Sequence, residues 1–346
     1  ILESIENGTA TPRVYLDETG KPLEFHLTEL GEYVGAQKKT FDSISEATEY
    51  FYTHREESNA IRQRSNPLHR SVQASLDKAR LKKQRLGEDL LQAENSEKYR
   101  LYGELLTANL HRVEPGAHEV TVISYYDNQP VTIPLDEKYA ASKNAQNYFK
   151  KYSKAKTAVH EKTHQLEETS KDILYLESVL QSIESAHTLE ELNQIREELE
   201  DTGYIRKRAQ KGFRRKKSNP QPIEYTLPTG QNVYVGRNNK ENDYLTTKMA
   251  GKRDLWFHTK DIPGSHVILP LEPNQSPEDI PEETIYQVAS IAAYHSKGKE
   301  SQNVPVDFVP IRYVKKPSGA KPGMVIFTHN TTVYVDPKLP EGATGK

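Results

Sequence analysis

Val120-Thr121-Val122-Ile123-Ser124-Tyr125-Tyr126-Asp127-Asn128-Gln129-Pro130-Val131-Thr132-Ile133 decides how the first two-thirds of the chain folds. Two runs rich in β-branched residues flank Asp127-Asn128, the signature of a β-hairpin. On its N-terminal side, between about 68 and 105, Val72, Leu76, Ala79, Leu86, Leu90 and Ala93 recur on alternating steps of four and three, with Lys83 in the one polar slot. That is a heptad seam. On its C-terminal side a second seam runs through Ala145, Tyr148, Tyr152, Ala155, Val159, Leu166, Ile173, Leu176, Leu180 and Ile183, interrupted by Lys162 and Thr169. Two such helices joined by a chain reversal predict a long antiparallel coiled coil whose far tip, near 116–135, carries a small β element. About 45 residues per arm at 1.5 Å each would reach roughly 65 Å. The alternative is a parallel dimer of long helices, in which the hairpin interrupts the helix without reversing the chain.

Outward from this arm, the N-terminal 1–42 holds two short β-like runs, Val14-Tyr15-Leu16 and Leu23-Glu24-Phe25-His26-Leu27, around the turn Asp17-Glu18-Thr19-Gly20. This is too little for a domain and reads as the tail of one. Ser43-Ile44-Ser45-Glu46 has capping-box spacing and opens the helical region, taken as 43–203. A second box, Thr188-Leu189-Glu190-Glu191, opens a short helix that ends near Gly203. Residues 204–222 form a basic linker. From 223 to 346 the pattern becomes short strands (223–227, 232–235, 254–258, 265–269, 305–309, 324–328 and a weaker 332–335) and one helix opened by Pro281 with the face Ile285, Val288, Ala292 and His295. The fold class is therefore multidomain, a helical coiled coil followed by a compact α+β domain.

Composition bounds the function. The chain begins with Ile1 and has only two Met in 346 residues, which raises the expectation that it is a piece of a longer protein. No apolar run approaches the roughly 18 residues of a membrane span, so membrane insertion is not expected. The absence of cysteine excludes disulfides, thiolate catalysis and Cys-ligated metals, and fits a cytoplasmic location. The net charge of -2 hides segregation. Arg206, Lys207, Arg208, Lys211, Arg214, Arg215, Lys216 and Lys217 put eight cations into twelve residues. Such a run repels itself unless an anion is near, and nucleic-acid phosphate is the commonest candidate. A membrane surface is the weaker one, because the run lacks an apolar face. In the C-terminal domain the acids Glu272, Glu278, Asp279, Glu282 and Glu283 crowd into one loop, leaving the rest of the surface leaning basic.

Within that domain Arg237-Asn238-Asn239 reads as a loop offering planar, bidentate donors suited to phosphate and base edges, or as a turn whose amides satisfy their own backbone. Lys248, Lys252, Arg253 and Lys260 surround Trp256 and His258, an interleaving of cations and rings expected of a surface for single-stranded or loop RNA. Trp256 taken alone reads as core. Ser265 and His266 are adjacent, and adjacent residues on a strand point to opposite faces, so they do not form a nucleophile–base pair. A metal site from His258, His266 and His295 with Asp254 or Asp261 lacks any supporting spacing. No Walker A, GxGxxG or nucleophile-elbow motif is present. No catalytic residue, metal or cofactor is expected.

Val235-Gly236-Arg237-Asn238-Asn239, Asn242-Asp243-Tyr244-Leu245-Thr246, the run from Asp254-Leu255-Trp256-Phe257-His258 to Gly264-Ser265-His266-Val267, Ala289-Ser290-Ile291-Ala292-Ala293-Tyr294-His295-Ser296-Lys297, Val306-Asp307 and Lys321-Pro322-Gly323 together resemble the RNA-binding domain of the NFACT family. Gly103-Glu104-Leu105-Leu106-Thr107-Ala108-Asn109 resembles its coiled-coil middle domain, so the likeness spans nearly the whole chain. The resemblance implies a non-enzymatic factor of ribosome quality control. Such a factor binds the large ribosomal subunit carrying obstructed peptidyl-tRNA, recruits tRNA and supports C-terminal alanine tailing. It also implies that 1–42 closes the family's N-terminal domain, the rest of which lies outside this chain, so that tRNA selection is expected to be weakened or lost here. Residues His266 and Lys297 join the expected RNA-binding set with Arg237, Asn238, Asn239, Lys248, Lys252, Arg253, Trp256, His258, Lys260 and the linker cations. Streptococcal relatives are described as anchorless surface adhesins for fibronectin or fibrinogen, a second class of function that implies presence at the cell surface without a signal peptide.

Overall fold

The computed structural model describes residues 7, 10–17, 20–33, 35–94, 96–207, 220–341 and 344–345. Contacts divide the chain into two compact units, residues 1–73 with 177–346, and residues 74–176. No helix among the described residues is long and apolar enough to cross a membrane.

Near the N-terminus, β1 (Arg13–Leu16), β2 (Pro22–His26) and β3 (Gln37–Thr40) form a three-stranded sheet with β1 in the centre. Strand β3 reads Gln-Lys-Lys-Thr and is fully exposed, so it carries no alternation by which the sequence could show it. Val14 and Phe51 are buried together, which anchors the sheet on the first turns of α1 (Ile44–Glu94). Ser43 Oγ accepts from the Glu46 N–H at 3.2 Å, the expected cap.

Helix α1 ends at Glu94 and α2 spans Glu97–Ala108, so the first seam runs over two assigned helices. In residues 74–176, strands β4 (Glu119–Ile123) and β5 (Pro130–Pro134) pair antiparallel, with Asn128 at φ 55° in the connecting loop. Their inner residues Val122 and Ile133 pack with Leu105, Leu106, Ala145 and Tyr148. Helix α3 (Ala141–Glu184) follows, with Thr169, one of the two polar interruptions, buried in its seam. The other interruption, Lys162, meets Asp89 of α1 at 2.7 Å. Helix α4 (Leu189–Asp201) opens with a complete capping box between Thr188 and Glu191.

The C-terminal domain is a seven-stranded antiparallel sheet in the order β13-β10-β8-β9-β7-β6-β14, made of β6 (Ile223–Thr226), β7 (Asn232–Val235), β8 (Leu255–Thr259), β9 (Val267–Leu269), β10 (Val304–Pro310), β13 (Thr331–Val335) and β14 (Thr344–Gly345). Two strands depart from expectation. The run at 324–328 yields only β12 (Ile326–Phe327), paired off the main sheet with β11 (Val314–Lys315), whereas the weaker run supplies the five-residue β13. Alternation along β8 assigns the two faces. Leu255 and Phe257 pack under helix α6 (Glu282–Tyr294) with Val288, Ile291 and Ala292. Trp256 turns to the other face, where Leu245, Ile268, Val309 and Ile311 cover it.

Candidate nucleic-acid interface

Arg237-Asn238-Asn239 is not an open loop. Asn238 caps α5 (Asn239–Tyr244), its Oδ1 accepting from the Glu241 N–H at 3.1 Å. Its amide donates to Gln194 at 2.7 Å, and that of Asn239 donates to Ser178 at 3.0 Å and Glu198 at 3.1 Å. Arg237 faces Glu191 at 3.5 Å and Lys240 faces Glu197 at 3.3 Å. The loop expected to offer amides and a guanidinium to RNA is thus consumed by α4 and the end of α3. With Asn238 and Asn239 at 1–2 % exposure, they have no face left for a ligand.

Trp256 and His266 are likewise inside the domain. The Trp256 ring stacks with His258 (centroids 5.7 Å, 13°) and meets His266 edge-on at 5.1 Å. His266 Nδ1 pairs with Thr246 Oγ1 at 2.7 Å, while Ser265 Oγ donates to the Gly236 carbonyl at 2.6 Å, so the two neighbours do point apart. Among the described residues no group of His, Asp or Glu is arranged to hold a metal ion.

Burial holds the His258 and His266 rings neutral, His266 well below the ordinary imidazole range. His295, bonded to the Tyr225 hydroxyl at 3.0 Å, is lowered to about 4 by burial, with Lys299 and His187 adding to it. An unfolded chain protonates these rings near pH 6.5 while the folded domain refuses the protons, so stability should fall as pH drops below about 6.5. For His295 the loss should be complete near its folded value, amounting to about 3 kcal/mol. Denaturant midpoints between pH 7.5 and 4.5 check this. The fall should be shallower in His295→Gln, and an equally steep fall in that variant would contradict the assignment.

The expected cations lie at opposite ends of β8, about 17 Å apart for a five-residue strand. At its N-terminal end are Lys248, Lys252 and Arg253, all exposed. Asp254 shapes their loop, with its carboxylate accepting from the N–H of Gly251 at 2.7 Å and of Leu271 at 3.1 Å. The Asp254 carbonyl accepts from Ile311, and the Lys252 carbonyl from Arg312 at 3.2 Å. The structure thereby adds Arg312, which sequence reasoning missed. Tyr313 joins them, its ring tilted against that of His329 (centroids 4.7 Å, 33°) with the Arg312 guanidinium 5.0 Å over it. The available signal was a cation beside a ring, Arg312-Tyr313. At the other end Lys260 and Lys297 are exposed, held by backbone bonds to Pro305 and Pro263, with Lys299 over the Tyr294 ring at 4.4 Å. Arg206 and Lys207 are exposed beyond α4, whereas Arg208, Lys211, Arg214, Arg215, Lys216 and Lys217 lie outside the described residues.

The site is therefore a set of exposed guanidinium and ammonium groups beside accessible rings, a combination that binds phosphates and stacks bases. Comparison with known proteins agrees in kind. A family described as NFACT N-terminal and middle domains matches residues 1–219, and the NFACT protein RNA binding domain matches residues 223–329. The Rqc2 homolog RqcH of Bacillus subtilis is 42 % identical over 316 residues, 90 % of this chain and 54 % of that protein. Its namesake in Streptococcus pneumoniae strain D39 is 41 % identical over 298 residues, 86 % of this chain and 52 % of its own length. The chain thus spans about half the length of these curated relatives. A solved structure, the C-terminal part of the fibronectin/fibrinogen-binding protein from Streptococcus suis, superposes with a TM-score of 0.63 at 35 % identity, covering 80 % of this chain and 96 % of that one.

Proposed function

Because the chain belongs to the NFACT family, we propose that it is the middle and RNA-binding portion of a ribosome quality-control factor that engages the large ribosomal subunit with obstructed peptidyl-tRNA. In this reading it helps recruit tRNA and supports C-terminal alanine tailing, and the ribosome makes the peptide bonds. The chain is a cytoplasmic binding factor rather than an enzyme. The observation that carries the reading is the row Lys248, Lys252, Arg253 and Arg312 beside Tyr313 and His329, exposed in the domain that matches the RNA-binding family. Helices α1 and α3 pair as an antiparallel coiled coil and serve as the arm, a reading supported by their heptad seams and by the Asp89–Lys162 pair. The cations of 206–217 add further phosphate-binding charge.

Sedimentation of the chain with purified large subunits tests this. It should pellet with them and shift tRNA in a gel, and replacing the 206–217 cations with serine should weaken both. Failure of both assays would sink the reading. A second reading, adhesion to fibronectin or fibrinogen, is favoured by the description of the S. suis structure alone. Fibronectin capture that persists at high salt, with no RNA binding, would select it.

A further inference from the structure

At the end of the sheet where the cation row lies, a cavity of about 510 Å³ opens between β8, β10, β13 and the start of α6. This is within the range of small-ligand sites. Its floor is apolar, with Phe308 and Val333 on neighbouring strands. Tyr313 and His329, their rings in tilted contact, form one wall, and Arg312 stands at the same wall with its guanidinium over the Tyr313 ring. Glu278 and Glu282 complete the lining from the acidic loop and the first turn of α6. The Glu278 carboxyl is held below the ordinary range, first by the Ser276 hydroxyl and among further causes by Arg312, so it is an ionised acceptor.

A phosphate-binding strip explains Lys252 and Arg253 but not an apolar floor walled by rings and carboxylates. A simple anion would be repelled by Glu278 and Glu282. A simple cation would be repelled by Arg312. One common ligand satisfies all of these groups together. A guanine base has an apolar face to lie on rings, an N1–H and an N2 amino group side by side for a carboxylate, and a 5′-phosphate for a guanidinium. Adenine and uracil lack that pair of donors on one edge.

We propose that this cavity is a guanine-selective nucleotide pocket, which holds one guanosine of an unpaired RNA segment whose flanking phosphates follow Arg312, Lys252 and Arg253. The proposal rests on the RNA reading for its natural ligand, while the pocket itself would also take a free guanine nucleotide.

Fluorescence anisotropy of the full chain with labelled uridine-rich oligonucleotides separates the two. An oligonucleotide with one central guanosine should bind at least about ten-fold more tightly than its adenosine or all-uridine counterparts, the discrimination expected of a bidentate pair. GMP should displace it and AMP should not. The double variant Glu278→Gln, Glu282→Gln, at two exposed positions, should erase this preference without weakening the all-uridine oligonucleotide, whose phosphates lose two repelling charges. Equal binding of all the oligonucleotides, or a preference that survives the double variant, overturns the pocket while leaving RNA binding intact. GMP binding without any oligonucleotide binding would keep the pocket and overturn the RNA reading. Absence of both overturns both. An oligonucleotide bound more tightly than GMP identifies RNA as the source of the base, and equal binding identifies the free nucleotide.

Discussion

Trp256→Ala should destabilise the C-terminal domain by about 3–5 kcal/mol, the usual loss for deleting a buried tryptophan. Trp256 is 1 % exposed and fills the face of the sheet opposite α6, against Leu245, Ile268, Val309 and Phe327. Since domains of this size have a total stability of about 5–15 kcal/mol, a large fraction of the variant should be unfolded under mild denaturant. Trp256→Phe should be much milder, because the indole Nε1 is buried without a hydrogen-bond partner and its removal breaks no bond. Denaturant titrations of the two variants distinguish core from interface. If the ring stacked on RNA, Trp256→Phe would lower RNA affinity at unchanged stability, and the structure predicts that affinity stays the same.

The run Asp254-Leu255-Trp256-Phe257-His258 shows how far the residues alone can be read. Its alternation gives a strand and its tryptophan reads as core, both of which the fold bears out. What it could not show is the work of Asp254, whose second carboxylate oxygen fastens the cation loop to the exit of β9, since Leu271 lies seventeen residues on and only the fold brings it near. The hairpin, the Thr188–Glu191 capping box and the Ser43 cap were legible for a local reason, because their partners are within a few residues in sequence. Asn238 and Asn239 were not, because an amide that reaches across 41 to 61 residues to Glu198, Gln194 or Ser178 looks the same in sequence as one free for a ligand. Arg312 and His329 were missed for a similar reason. Seventeen positions apart, they meet at Tyr313 through the turn beyond β10 and the loop before β13.

Removing the charges of Lys248, Lys252, Arg253 and Arg312 together, by substitution with serine, should weaken RNA binding on the order of 100-fold at moderate salt and leave the fold unchanged. All four side chains are exposed. Among the described residues they give up the Arg253 bond to the Pro273 carbonyl at 2.6 Å and the Arg312 contact with the Tyr313 ring, both at the surface, so the thermal midpoint should move little. The loss should be nearly uniform across RNA sequences, because phosphate contacts position a strand without reading it. The same substitutions at Lys260 and Lys297, at the far end of β8, should have a smaller effect, since they remove two charges rather than four.

The salt dependence of RNA affinity, compared between the unaltered chain and the quadruple variant, tests the account most directly. Each phosphate contact releases counterions, so log K should fall linearly with log salt, and the variant should lose roughly one unit of slope for each contact removed. The account predicts a steep line for the unaltered chain and a clearly shallower one for the variant. Parallel lines, or an affinity indifferent to salt, would contradict the assignment of this end of the sheet as the RNA interface.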